Sequence, residues 1–329
     1  MQDPTRLIQN NRLRCKFEKN NTVLFFSLVD YRNNLFTSND PEKIIEFYNG
    51  FHNRDQLIQW MKERPKGASY IHEVEGDRDI IVVIPTADFN GKYARTCREE
   101  IFKGLHMVFV ESGGNPDPYF NYAHNCNVGI KRAMEYNPKW VVVSNDDMRK
   151  VESPEKLREE ILKQNSDEIL ILNAQGSGIH SKLVKVGTRS LFALVLLLSQ
   201  NNRTILMIEK SLRYKVGKIL IAESYSLKHR FFTKKLFSVR NVASFFILSK
   251  LCIKTTKGNL FDETFINDYE DLDLSLRYMK SAKKEINYKI DDIGEGGMTL
   301  GGIQSMRFAR DVANRIYLSQ LYFTGTYSI

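Results

Sequence analysis

The chain has no two cysteines placed to form a metal ribbon or a redox pair. Cys15, Cys97, Cys126 and Cys252 stand far apart, and none belongs to a CxxC. That excludes a zinc ribbon and a thioredoxin-type site, and it suits reduced thiols in a cytosolic protein. Long apolar runs are also missing. The longest, Leu191 to Leu198 (LFALVLLL), falls far short of the ~20 residues needed to cross a bilayer. The opening MQDPTRLIQNNRLRCKF lacks the apolar core of a secretory signal. These absences predict a cytoplasmic, soluble protein, at most peripheral to a membrane. No GxGxxG follows the first buried strand, and no GxxxxGK[ST] occurs anywhere. A diphosphate bound here is therefore not cradled in the dinucleotide or P-loop manner. No internal repeat, low-complexity segment or RNP-type aromatic motif is present, so no specific nucleic-acid partner is expected.

The composition itself is that of a globular chain: 329 residues, 42% apolar and 26% charged. That length accommodates one large α/β domain or two smaller ones. The net charge of +9 is unevenly spread. Residues 181–250 hold 14 Lys and Arg against Glu209 and Glu223, a local +12, so the remainder is −3. A basic stretch of this kind suits an anionic partner, such as lipid headgroups or a lipid diphosphate, and it equally suits a solvated basic surface. Phe192, Leu194, Val195 and Leu198 within it fit either a membrane-facing or a buried helix face.

Residues 1–75 read as a small N-terminal accessory unit. Thr22 to Val29 (TVLFFSLV) reads as a buried strand. Asp40-Pro41 opens a short helix by cap and first-position proline, and Asn53 caps a second over Arg54 to Lys62. From residue 76 the pattern changes. Ile80 to Ile84 (IIVVI) reads as a strand buried on both faces, and Leu105 to Val110 (LHMVFV), Trp140 to Val143 (WVVV) and Ile169 to Leu172 (ILIL) read as further strands. Helices are expected between them: Lys92 to Phe102 with Gly104 as the stop, Val128 to Tyr136, and one opened by Ser153-Pro154. Such alternation predicts an α/β fold, a mostly parallel sheet with helices on both faces. The expected organisation is 1–75, then one domain over 76–329. Within it lie a half at 76–175, a basic variable region at 176–242 and a second half at 243–329.

In sheets of this type, ligands bind at the carboxyl ends of the strands. Those ends carry Pro85-Thr86-Ala87-Asp88, Glu111-Ser112-Gly113-Gly114 and Ser144-Asn145-Asp146-Asp147. Singly, each set is explained by turn shaping or by acids in water. Their placement on one edge points to a site. A carboxylate 4 Å from a phosphate repels it by about 1 kcal/mol in water and about 4 kcal/mol at an effective dielectric of 20. A divalent Mn²⁺ or Mg²⁺ between them reverses the sign, and hard oxygen ligands suit such ions.

At this point the sequence resembles the family 2 glycosyltransferases, which have the Rossmann-like GT-A fold of nucleotide-diphospho-sugar transferases. The resemblance rests on five pieces in the family's order: IIVVIPTADFN (80–90), VFVESGG (108–114), NCNVGIKRAM (125–134), WVVVSNDDM (140–148, the DxD-like segment) and FDETFINDYEDLDLSLR (261–277). It implies transfer of a sugar from a nucleotide-diphosphate sugar to an acceptor hydroxyl, with inversion and with a divalent metal. By the same resemblance Asp147 ligates the metal and Asp146 contacts the ribose or donor sugar. Glu111 takes the place of an Asp that binds the base, and Pro85, Thr86, Asp88 and Asn127 line the nucleotide-sugar site. Asp271 is the general base, Glu270 supports it, and Asp262 and Glu263 stabilise their loop or touch the acceptor. Two departures stand out: Glu111 is longer than the family's Asp, and the stretch IDDIGEGGMTLGG (290–302) has no His where the family often has one. Asp292 or Glu295 could substitute for it. The pairs Gly296-Gly297 and Gly301-Gly302 suggest a mobile loop over the donor. Glu270, Asp271 and Asp273 also fit the simpler role of acids in a first helical turn.

Two other functions remain open on the sequence. A sugar nucleotidyltransferase would share the metal, nucleotide and sheet, although PTADFNGK is not its Gly-rich basic loop. A catalytically degenerate nucleotide-sugar- or RNA-binding protein is the third. The nucleotide, the sugar and the acceptor (glycan, lipid-linked molecule or protein) are not specified by the sequence.

Overall fold

The computed structural model describes residues 21–38, 41–52, 54–113, 117–175, 180–186, 215–216, 219–220, 235–241, 244–256, 259–278, 282–293 and 307–323. Several expectations lie outside these residues: the caps Asp40 and Asn53, the run Leu191–Leu198, Glu295, and the glycine pairs at 296–297 and 301–302.

The N-terminal part opens with three helices, α1 (Asn21–Phe36), α2 (Pro41–Asn49) and α3 (Arg54–Glu63). The expected strand at Thr22–Val29 is thus wrong, because those residues lie in α1. Among its described side chains Val29, Asn33, Leu35 and Phe36 are buried, with 29, 33 and 36 spaced as one helical face, while Leu28, Asp30 and Tyr31 are exposed. The β-branched and aromatic run seen alone hides this period, which only emerges with the residues after it.

Eight strands form one sheet. In chain order they are β1 (Ser69–Val74), β2 (Asp77–Thr86), β3 (Leu105–Ser112), β4 (Trp140–Ser144), β5 (Met148–Lys150), β6 (Leu170–Gln175), β9 (Phe245–Ser249) and β10 (Ala282–Asp292). Strands β7 (His180–Val186) and β8 (Lys235–Asn241) make a separate antiparallel ribbon. Across the sheet the order is β1-β3-β2-β4-β9-β6-β10-β5. The pairs β2–β3, β2–β4 and β6–β10 are parallel, whereas β1–β3, β4–β9, β9–β6 and β10–β5 are antiparallel. The fold is α/β as expected, but the sheet is mixed instead of mostly parallel. A strand from late in the chain, β9, inserts between β4 and β6, and β1 from before residue 75 adds an edge. Neither placement is visible in local sequence periodicity.

Helices cover both faces. One face of β2, with Ile80, Val82 and Ile84, packs on α4 (Lys92–Thr96), the π-helical turn Cys97–Ile101 that follows it, and α6 (Pro154–Leu162). Gly104 ends that segment at φ +88°, a conformation that costs a residue with a Cβ. The opposite face, with Ile81 and Val83, packs on α5 (Tyr122–Glu135), α7 (Lys250–Thr255) and α8 (Glu270–Arg277). A third core joins α1, α2 and α3 to Phe265, Ile266, Leu272 and Leu276 and to α9 (Arg307–Phe323). The N-terminal helices therefore rest on the segment that carries Asp271. Ser153 caps α6 with Pro154 in its first turn, as the sequence predicts. No described helix is long and apolar enough to cross a membrane.

Gly129 is where α5 comes closest to the sheet. A Cβ there would meet Val83 Cγ1 at 2.4 Å and Val110 Cγ2 at 2.9 Å. Gly129→Ala is expected to destabilise the fold by about 1–3 kcal/mol through overpacking. A lowered midpoint in denaturant unfolding checks this, and an unchanged midpoint would show that α5 can lift freely.

Candidate functional site

Parallel pairing of β3, β2 and β4 lays their carboxyl ends side by side, with Thr86 opposite Glu111. The Thr86 hydroxyl donates to Asp146 Oδ2 at 2.6 Å, which joins the ends of β2 and β4. The Cys97 thiol donates to the Asp146 carbonyl at 3.4 Å from the other side. Burial pushes the Asp146 carboxyl above its ordinary pKa, and the Thr86 bond offsets part of that.

Asp147 is 3% exposed. Its pKa is raised to about 6, first by burial and then by the charges of Asp292 and Asp146. Asp292 reaches this position through β10, which pairs with β5 so that Asp292 lies opposite Met148. The Ile293 N–H donates to the Asp147 carbonyl at 3.0 Å, and the Ser244 hydroxyl donates to Asp292. Three carboxylates from two distant stretches thus stand together at the tip of β4.

Glu111 is half-buried and already engaged. His72 Nε2 lies 2.6 Å from its Oε2, and the Phe89 N–H donates to Oε1 at 3.4 Å. The His72 ring stacks on Phe89 at 4.4 Å and 7°, and the Arg98 guanidinium sits over the same Phe89 ring at 4.3 Å. Pro85 is buried at the end of β2. Asp88 is exposed, and its Oδ1 accepts the Asn90 N–H at 2.8 Å, the turn-shaping role of an Asx residue.

Asn127 differs from expectation. It is 0% exposed, and both ends of its amide are spent inside the protein. Its Nδ2 donates to the Phe261 carbonyl and to Glu263 Oε1, both at 2.9 Å, and its Oδ1 accepts the Phe261 N–H at 3.0 Å. The side chain is a clamp on the 261–263 loop and has no free group for a nucleotide sugar. Two more asparagines work alongside it. Asn121 caps α5 by accepting the His124 N–H at 2.8 Å, and it donates to the carbonyls of Glu263 and Phe265. Asn267 accepts the Tyr122 N–H at 2.8 Å and donates to the Phe120 carbonyl at 2.9 Å. His124 Nδ1 lies 2.9 Å from Glu263, whose carboxyl it helps to hold below its ordinary pKa. Glu263 is thus a loop stabiliser, and Asp262 accepts the Tyr317 hydroxyl at 2.6 Å.

This clamp brings the start of α8 to the strand ends. The Tyr122 hydroxyl donates to Asn145 Oδ1 at 3.0 Å, beside Asp146. The same tyrosine lies within the fields of Glu270 and Asp271, which add to the burial and the nearby Cys126 that raise its pKa. Tyr122 therefore links Asn145 at the end of β4 to the surroundings of the acids that open α8. Asp271 is half-buried, and Glu270 is 7% exposed with its pKa raised to about 8, first by burial and then by Asp271 and Asp268. Tyr269, just before them, takes a left-handed φ of 73°, as Asn267 does at 51°. Backbone strain of this kind in non-glycine residues clusters at functional sites.

Sequence reasoning missed His72, Asn121, Tyr122 and Asn267. Their only sequence signal is proximity to the quoted motifs, since their roles depend on partners up to 147 residues away. Comparison of the chain with family models and with curated proteins finds no match.

Asn127→Ala leaves the Phe261 N–H and carbonyl without their partner. The expected loss is about 1–3 kcal/mol for the stranded buried groups, read as a lower denaturant midpoint. A midpoint shift below about 0.5 kcal/mol, the usual range of surface changes, would remove the clamp role.

Proposed function

We propose that this protein is a glycosyltransferase that moves a sugar from a nucleotide-diphosphate sugar to an acceptor hydroxyl. One observation carries this reading: Tyr122 bonds Asn145, next to Asp146 at the end of β4, and lies within the fields of Glu270 and Asp271 at the start of α8. A donor lying across the carboxyl ends of β2, β3 and β4 would have its leaving group beside Asp147 and its reacting carbon toward Asp271. Asp271 then accepts the acceptor proton as the new bond forms on the face opposite the leaving group, which inverts the sugar. Thr86 holds Asp146 toward the ribose or sugar, and Glu111, steadied by His72, accepts from the base.

The donor set near Asp147 fits a hard divalent cation, Mn²⁺ or Mg²⁺. It is all oxygen, and the charge of Asp292 adds to the cost of ionising Asp147, which a cation would relieve. Among the described residues no group of three or more His, Cys, Asp or Glu side chains is arranged to hold an ion alone. Asp147 and Asp292 would therefore share the ion with the diphosphate and water. When bound, the ion supplies Lewis acidity toward the leaving diphosphate. Asp292 takes the place of the missing His. The basic stretch 181–240, whose ends form the ribbon β7–β8, is proposed to meet an anionic surface or a lipid-linked acceptor.

Asp271→Asn is expected to lower turnover by about 10²–10⁴-fold while nucleoside-diphosphate binding persists. Steady-state rates beside calorimetric binding measure this, and full turnover in the variant would remove the proposed base. Asp147→Asn should abolish the Mn²⁺ dependence of nucleoside-diphosphate binding. In the wild type that Mn²⁺-dependent binding should weaken as pH falls through about 6, because the protonated Asp147 carboxyl no longer attracts a cation. Binding that is flat from pH 5 to 8 would place the ion elsewhere.

A further inference from the structure

Helix α8 carries two deeply buried carboxyls that the protein treats in opposite ways. Asp273 is 0% exposed and fully partnered, with Arg277 Nε at 2.8 Å from Oδ2 and the Tyr322 hydroxyl at 2.7 Å from Oδ1. Glu270, one turn earlier and 7% exposed, has no such partners. Its Oε2 is buried with no hydrogen-bond donor at all. An ionised oxygen in that position would have lost its water without any replacement, which folded proteins avoid. A protonated carboxyl does not carry that cost.

The groups around Glu270 point the same way. From its own segment come Asp268 and Asp271, both acids. From α5 come Tyr122 and Cys126, whose hydroxyl and thiol are each pushed up by burial and by the Glu270 charge. From α9 comes Arg310, the cation that favours ionisation. Arg310 is itself 4% exposed and shares its surroundings with Arg64 of α3. Against it stand burial and two neighbouring carboxylates, and these win, since the pKa lies near 8.

We propose that Glu270 is held as a neutral acid and serves as a positioning residue for Asp271, leaving Asp271 the one ionised carboxylate of the pair. This rests on the transferase reading for what Asp271 does, but the charge state of Glu270 is independent of it. Two adjacent ionised carboxylates would repel each other and the donor diphosphate. Keeping one of them protonated removes that repulsion and still places its oxygen atoms at the start of α8. The left-handed turn at Tyr269 sets where that helix starts, and so which side chain is enclosed and which is half-exposed. When Glu270 ionises at alkaline pH, its charge appears beside Asp271 and the arrangement fails.

The test uses the intact chain. A carboxyl whose folded pKa lies above its unfolded value binds more protons when folded, so stability falls as pH rises from about 4.5 to about 8 and then levels off. Glu270→Gln should flatten that slope. In protein labelled with ¹³C at the glutamate carboxyls, one resonance should titrate near pH 8 and vanish in Glu270→Gln. For turnover, nucleoside-diphosphate release from UDP-glucose and GDP-mannose is followed with Mn²⁺. Glu270→Gln should exceed Glu270→Ala by at least tenfold, and the alkaline limb of the wild-type profile near pH 8 should move upward in the Gln variant. A Glu270 resonance titrating below pH 5 overturns the proposal. So does a folded Glu270→Gln that is no more active than Glu270→Ala. If the wild type releases no nucleotide from either donor, or from other sugar nucleotides, the transferase reading fails, while the titration still decides the charge of Glu270.

Discussion

Everything at this site depends on three asparagine side chains that tie the start of α5 to the loop at 261–267. Asn121, Asn127 and Asn267 each use both ends of the amide, donating to a backbone carbonyl and accepting a backbone N–H across more than 130 residues of chain or within the α5 cap. An amide suits this task because it carries donor and acceptor together and stays neutral when buried. The stretch 259–269, just before α8, has no strand or helix ladder of its own to satisfy its backbone. Without these side chains its polar groups would be stranded, and α8 would have no fixed start. Asn314 of α9 completes the arrangement from behind, bonding both the N–H and the carbonyl of Ile266.

The electrostatics follow from that attachment. Asp146, Asp147 and Asp292 gather at one place, Glu270 and Asp271 at another, and the uncharged Tyr122 bonds Asn145 while lying within the fields of the second pair. Burial lifts the affinity of each enclosed carboxyl for protons, and neighbouring like charges lift it further. A stable protein carries such a concentration of negative charge only when something offsets it. At the β4 tip the proposed offset is a cation. At α8 it is a retained proton. In the proposed reading the two solutions suit different tasks, because a cation would handle a departing diphosphate and an ionised carboxylate an incoming hydroxyl. The N-terminal helices belong to this scheme through packing. Their aromatic core presses on Phe265, Leu272 and Leu276, and Arg64 lies near Arg310 behind Glu270.

Much of the fold was legible because its signals are local. IIVVI and WVVV are continuous apolar runs, and each is a strand buried on both faces. Ser153-Pro154 and Gly104 mark a start and a stop by the backbone conformations they favour. Legibility failed where the deciding partner was remote. TVLFFSLV has the composition of a strand, yet it lies in a helix whose later residues Leu35 and Phe36 pack with α2 and α3. Phe245–Ser249 reads as any apolar run, and nothing in it says that it inserts antiparallel between β4 and β6. Asn127 lay in the right neighbourhood, but its neighbours in space turned it into a clamp.

The sequence by itself determined which residues could form buried strands, which strand ends would carry acids, and that no glycine-rich loop would cradle a phosphate. Those properties depend on side-chain volume, branching and backbone freedom within a few residues. Only the tertiary structure decided that Asp292 stands beside Asp147, that His72 engages Glu111, and that Tyr122 bonds Asn145 within the fields of Glu270 and Asp271. Those are relations between charges and hydrogen-bonding groups brought together by strand order, and their energies depend on separation in space and exclusion of water, neither of which is written along the chain.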